Sequence, residues 1–152
     1  MCSINTLKYV AEIYMLLMDI NIEKLKLFNY HNVNKLKYVS FSEQDGKEEK
    51  DDVAEELEES ILKKMNNIFQ LVINLILSSE GKDNDTAFEE ASKCLNQLAD
   101  SIHEIKGLNK IRMDSNLQQL IDRAIDKLIQ RSNKHFALIS NIINCKGLLY
   151  KA

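Results

Sequence analysis

Proline is absent from the sequence, and glycine occurs only four times in 152 residues. These are the residues that interrupt helices, so their scarcity predicts long unbroken ones. Few glycines also exclude a class of chemistry. Phosphate-cradling loops need glycine where backbone amides must approach the anion closely. Gly81, Gly107 and Gly147 fall where helical patterns run out, and Gly46 stands alone among acids. Walker-type and dinucleotide-binding loops are therefore not expected.

Cysteine is equally sparse. Three residues, Cys2, Cys94 and Cys145, are too few and too scattered for a disulfide scaffold. Cys94 and Cys145 lie within helical patterns, the usual setting of buried free thiols, and a bridge between them would need an oxidising compartment. Long apolar runs are missing too. The stretch "IFQLVINLIL" (68–77) is about half the length that spans a bilayer, which predicts a core helix and no transmembrane segment. The run 13–20 is broken by Asp19 and lacks the flanks of a signal peptide. A cytoplasmic location is favoured, with anchoring at the surface through lipid on Cys2 as the alternative.

Apolar residues make up 45% and charged residues 28%, ordinary globular values for a chain long enough to bury a core as a single domain, 1–152. Lysine outnumbers arginine seventeen to three, and Asn and Ile are frequent, a bias expected of a low-GC source. The net charge of -3 is unevenly distributed. Residues 1–41 carry +2, 42–60 carry -8, 61–102 carry -2 and 103–152 carry +5.

Periodicity then sets the fold class. Leu7, Val10, Tyr14 and Leu17 step by three and four, with Ile13, Met15, Leu16 and Met18 on other faces. A helix this apolar is either central or covered by a partner. Residues 24–41 are ambiguous: Lys and Leu alternate as in a lysine-faced hairpin, yet Leu25, Phe28, Asn32, Leu36 and Val39 fit a helical stripe. A helix with an irregular joint near Asn32 is favoured. Residues 42–51 have Gly46 and no apolar residue, and predict an acidic loop.

Asp52 and Glu55 then open a helix striped by Ala54, Leu57, Ile61, Met65, Ile68, Val72 and Leu75. Its first turns hold Glu55, Glu56, Glu58 and Glu59, which the positive end of the helix dipole favours. Thr86 and Glu89 open the next, striped by Phe88, Ala91, Leu95, Leu98, Ile102 and Ile105 and ended by Lys106-Gly107. Ser115 and Gln118 begin another, with Leu117, Ile121, Ala124 and Leu128 inward. Phe136, Ile139 and Ile143 continue after a polar break at 131–134, and Gly147 is placed at the close. The whole predicts an all-α antiparallel bundle of four to five helices with short loops.

No constellation of catalytic or metal-ligating residues emerges. Asp100 and His103 offer two ligands at helical spacing without a second pair, and an exposed polar pair is the simpler account. Cys94 and His103 stand nine residues apart on one helix, about 13 Å of rise, too far to pair directly. No cofactor is expected.

Three functions remain as expectations. The first is a non-enzymatic protein that binds a protein partner or a second copy of itself through Ile13, Leu16 and Met18, with Glu48, Glu49, Asp51 and Asp52 as a face for a basic partner. The second is nucleic-acid binding by Lys24, Lys26, Lys35, Lys37 and Tyr38, and by Lys106, Lys110 and Arg112. An acidic pI near 5.7 disfavours it. The third is a surface-anchored helical domain that binds host or neighbour proteins.

Overall fold

The computed structural model describes residues 4–40, 52–80, 84–131 and 133–151, without the side chains of 35–40 and 133. Among the described residues five helices follow one another: α1 (Ile4–Ser40), α2 (Asp52–Ser78), α3 (Asp85–Glu104), α4 (Ser115–Arg131) and α5 (Phe136–Leu149). A 3-10 turn, Asn133–His135, precedes α5. Two-residue strands, β1 (Ile111–Arg112) and β2 (Tyr150–Lys151), pair in parallel, with Ile111 opposite Tyr150. The chain is an all-α bundle.

Side-chain bonds fix the directions. Ser60 and Lys64 of α2 reach Glu23 of α1, and Gln70 and Asn74 lie beside Leu16 and Glu12, so the first two helices are antiparallel. Thr6 meets Asn84 and Lys24 meets Glu104, so α3 runs with α1. Lys127 and Arg131 reach Leu77 and Ser79, so α4 runs with α2. His135 meets Asp85 and Cys145 meets Leu95, so α5 runs with α3. Successive helices thus alternate in direction, the simplest result of linking neighbours by short connections.

The core runs through all five helices. α2 is its centre, touching each of the other four, and buries residues including Ile61, Met65, Phe69, Ile73 and Ile76. That placement accounts for the apolar end of α2, whose apolar residues are buried or half-buried among its neighbours while Gln70 and Asn74 stay exposed. α3 presents Phe88, Ala91, Leu95 and Leu98, and α4 presents Leu117, Ile121, Ala124 and Leu128. These stripes are the ones their spacing predicts.

Other expectations need correction. Residues 24–40 form neither a hairpin nor a joint at Asn32, because α1 passes through them unbroken. Leu27 is buried, Phe28 and Tyr30 are half-buried against the core, and Lys24 is drawn to α3, which together hold this stretch on the bundle. The inward stripe of α1 is Ile13, Leu17, Ile20 and Leu27, whereas Leu7 is 57% exposed. In α5 the inward residues are Leu138, Ile142, Cys145 and Leu149, while Phe136 and Ile143 face out.

Helix ends differ in detail. α3 ends at Glu104 with Ile105 already extended, and Gly107 lies in the turn just beyond, with φ of +92°, a backbone that side chains rarely adopt. Gly147 ends nothing: α5 continues to Leu149 and the backbone becomes extended at Tyr150. The Thr86–Glu89 box does not form, since α3 starts at Asp85 and its cap, Asn84, makes no side-chain bond to the helix. At α4 the cap is Asp114 rather than Ser115, for its Oδ1 accepts the Asn116 amide at 3.1 Å. The helix begins at Ser115 as read, and Asp is as good a cap as Ser. Asp52 and Glu55 do lie in the first turn of α2. Gly46, Gly81 and the acidic loop at 42–51 are outside the described residues.

Candidate interaction surface

α1 carries apolar residues on two nearly opposite faces. The inner set includes Thr6, Ile13, Ile20 and Leu27, spaced by sevens and buried against α2 and α3. The outer set is Ile4, Ala11, Met15, Met18, Ile22 and Leu25, all exposed, with Met15 at 67% and Met18 at 64%. From Ala11 to Leu25 the outer steps are 4, 3, 4 and 3. That is the seven-residue repeat of a coiled-coil seam. Lys8 fills the step between Ile4 and Ala11, Asn29 and Asn32 continue the row beyond Leu25, and all three are exposed. Among the described residues this row stays exposed while the opposite face of the helix is buried in the core.

The two flanks of the row differ in charge. One flank carries Glu12, Asp19 and Lys26, all exposed. The other carries Leu7, Tyr14, Asn21 and Phe28, with no ionised group. Tyr14 donates to the Glu90 carboxylate on α3. That bond, with some burial, holds the phenol above its usual pKa and lowers that of Glu90. Lys93 also reaches Glu90, at 3.4 Å. Lower on the helix Lys24 donates to Glu104 at 2.8 Å and to Ser101 Oγ at 3.3 Å, and Glu23 accepts from Lys64 and Ser60. These bonds fix the rotation of α1 about its axis, so the outer row is held outward.

The predicted interaction residues are not one patch. Ile13 is 1% exposed and belongs to the core, which corrects its assignment to a binding face. Leu16 is half-buried, beside a hollow of about 250 Å³ lined by Asn67, Gln70 and Leu71. Met18 alone of the three lies fully on the surface. Ile4, Ile22 and Leu25 were missed, and the signal for them was the second seven-residue repeat interleaved with the first. Asp52 is exposed at the start of α2, whereas Glu48, Glu49 and Asp51 lie outside the described residues.

The basic residues are dispersed as well. Lys26 is exposed, but Lys24 is held by Glu104. Lys35, Lys37 and Tyr38 are within α1, and their side chains lie outside the described residues. Lys106 and Arg112 are exposed on the link between α3 and α4, and Lys110 donates to the Gly147 carbonyl at 2.9 Å. That link, residues 105–114, joins antiparallel helices and is tied to the C-terminal strand, which is not the close pair of a helix-turn-helix.

Among the described residues no group of three or more His, Cys, Asp or Glu could hold a metal ion. Asp100 and His103 are both exposed. The buried Cys145 thiol bonds the Leu95 carbonyl at 3.2 Å, and burial pushes its pKa up to about 12. Burial raises the pKa of Cys94 likewise. Both thiols are free, and the expectation of buried thiols holds. His135 packs edge-on to Phe88 with ring centres 5.1 Å apart and lies 3.4 Å from Asp85. A hollow of about 560 Å³ lies between the start of α4 and the end of α5, with Met113, Ile143 and Tyr150 beside Lys146 and Lys151.

No helix among the described residues is long and apolar enough to cross a membrane. No protein-family model matches the chain, and no curated protein or solved structure matches it.

Proposed function

We propose that this is a non-enzymatic protein that works by binding another helix along the outer face of α1. The observation that carries the reading is the second seven-residue row, apolar from Ala11 to Leu25, on a helix whose other face is buried in the core. Scattered exposed apolar residues are normal, but a contiguous row at coiled-coil spacing is a recognised way to dock a helix. A nucleic-acid reading has less support, because Lys24 and Lys110 are engaged within the chain.

The test is photo-crosslinking. A benzophenone side chain at Met18 or Ile22 should give protein adducts in cells, whereas the same group at exposed Gln97 on α3 should not. Equal labelling at all three positions, or none at Met18 and Ile22, would reject the outer face as the working surface.

A further inference from the structure

We infer that the helix received by the outer face of α1 is α1 of a second copy, lying antiparallel across a two-fold axis. The inference rests on the reading of that face as the working surface and adds the occupant. Charge complementarity decides it. In a two-stranded seam of this repeat, parallel partners set each flank against the opposite flank, and antiparallel partners set each flank against its own kind.

Parallel pairing would face Glu12, Asp19 and Lys26 with Leu7, Tyr14, Asn21 and Phe28, forming no ion pair. It would also press Lys8 against Lys8 of the partner within the seam. Antiparallel pairing turns the charged flank on itself. With Met18 level with Ile22 of the partner subunit, Glu12 faces Lys26 of the partner subunit, and Lys26 faces Glu12 of the partner subunit. Met15 then lies opposite the partner's Leu25, so the four central layers are wholly apolar. Polar residues fall outside them: Asn29 against the partner's Ala11, and Lys8 against the partner's Asn32.

One contact is unfavourable. Asp19 approaches its own copy near the axis, on the solvent side of the seam. The row from Lys8 to Asn32 is about 36 Å long. A helix pair of that length buries on the order of 800 Å² per copy, enough for a specific dimer. α2 and α3 pack on the inner face of α1 and border its flanks, where Tyr14 reaches Glu90 and Glu12 lies beside Gln70, while the row between the flanks stays exposed.

Sedimentation equilibrium at tens of micromolar should give twice the 17.5 kDa of one chain. The double variant Met18→Lys, Ile22→Lys should sediment as one copy while keeping its helical circular dichroism, since both residues are exposed. Orientation is read by charge exchange at about 50 mM salt. Glu12→Lys or Lys26→Glu alone should weaken the dimer by about tenfold, and the two together should restore it, which a parallel dimer would not do. Asp19→Asn should tighten it several-fold.

A nitroxide pair at Asn32→Cys, in a Cys2→Ser background, should lie more than about 30 Å apart; parallel chains would put it near 10 Å. A single-copy protein whose Met18 crosslinks to a different protein overturns the dimer and leaves the working surface standing. A single-copy protein with no Met18 adduct overturns both. A dimer unaffected by the lysine variant, or lacking charge-exchange rescue, overturns the antiparallel arrangement.

Discussion

α4 and α1 belong to one bundle yet divide their side chains differently. α4 turns Leu117, Ile121, Ala124 and Leu128 inward and meets solvent with a face in which Asp122, Arg123, Asp126 and Gln130 predominate. α1 has an inward row as complete as that of α4, and a second apolar row on its other side. A helix of the first kind is finished once the bundle closes. The second kind leaves a row of exposed side chains that would gain by being covered, each large one by roughly 1.5–3 kcal/mol. The difference separates a helix that only builds the fold from one that also has a surface to offer.

The most severe way to probe that difference is to shorten one residue from each row of α1. Ile20 is fully buried, and Ile20→Ala should lower the stability of the protein by roughly 2–5 kcal/mol, through lost burial and the cavity left behind. Met18→Ala, two residues away, should change it by no more than about 0.5 kcal/mol at concentrations too low for association. Urea unfolding monitored by circular dichroism measures both. Equal losses would mean that the outer row is also covered by the chain itself, and α1 would then resemble α4.

A middle-sized effect is expected where the inner row turns polar. Glu23 is largely buried between α1 and α2 and is met by Lys64 and Ser60, while its Oε2 has no hydrogen-bond partner. Removing the cation in Lys64→Met leaves a shielded carboxylate with only the Ser60 hydroxyl, which should cost about 1–3 kcal/mol. Glu23→Gln combined with Lys64→Met should recover much of that loss, because no unpaired charge remains. If the single variant unfolds at the wild-type urea midpoint, the pair is not what sets the rotation of α1.

The same division explains what the sequence disclosed. α3 and α4 each carry one inward stripe, and α2 carries one that widens towards its C-terminal end, so spacing alone identified Ile61, Leu95 or Ile121 as core, together with the helical class. α1 and α5 are apolar on several faces, and a periodic reading then has more than one solution. It selected Leu7 and Tyr14 in α1 and Phe136 and Ile143 in α5, each on the exposed side. What chooses among the solutions is the position of α2 and α3 around them, a long-range fact absent from local spacing. Ile13 was assigned to the surface for the same reason. The surplus of apolar residues on α1 was legible, but not which of them would be surplus.

The smallest effect concerns the end of α5, the other helix whose pattern allowed two readings. Gly147 reads as a stop signal, yet it is helical, and a Cβ there would meet nothing within 4 Å. Gly147→Ala should therefore stabilise the protein by about 0.4–1 kcal/mol, since alanine restricts the unfolded chain and suits the helix. The bond from Lys110 uses the backbone carbonyl and survives the change. Gly107→Ala is the control with the opposite sign: it also has open space, but its φ of +92° makes any Cβ a strain, and about 1 kcal/mol should be lost. Thermal melting of the two variants decides the matter. A loss at Gly147 would show that the end of α5 needs glycine for a reason other than local conformation.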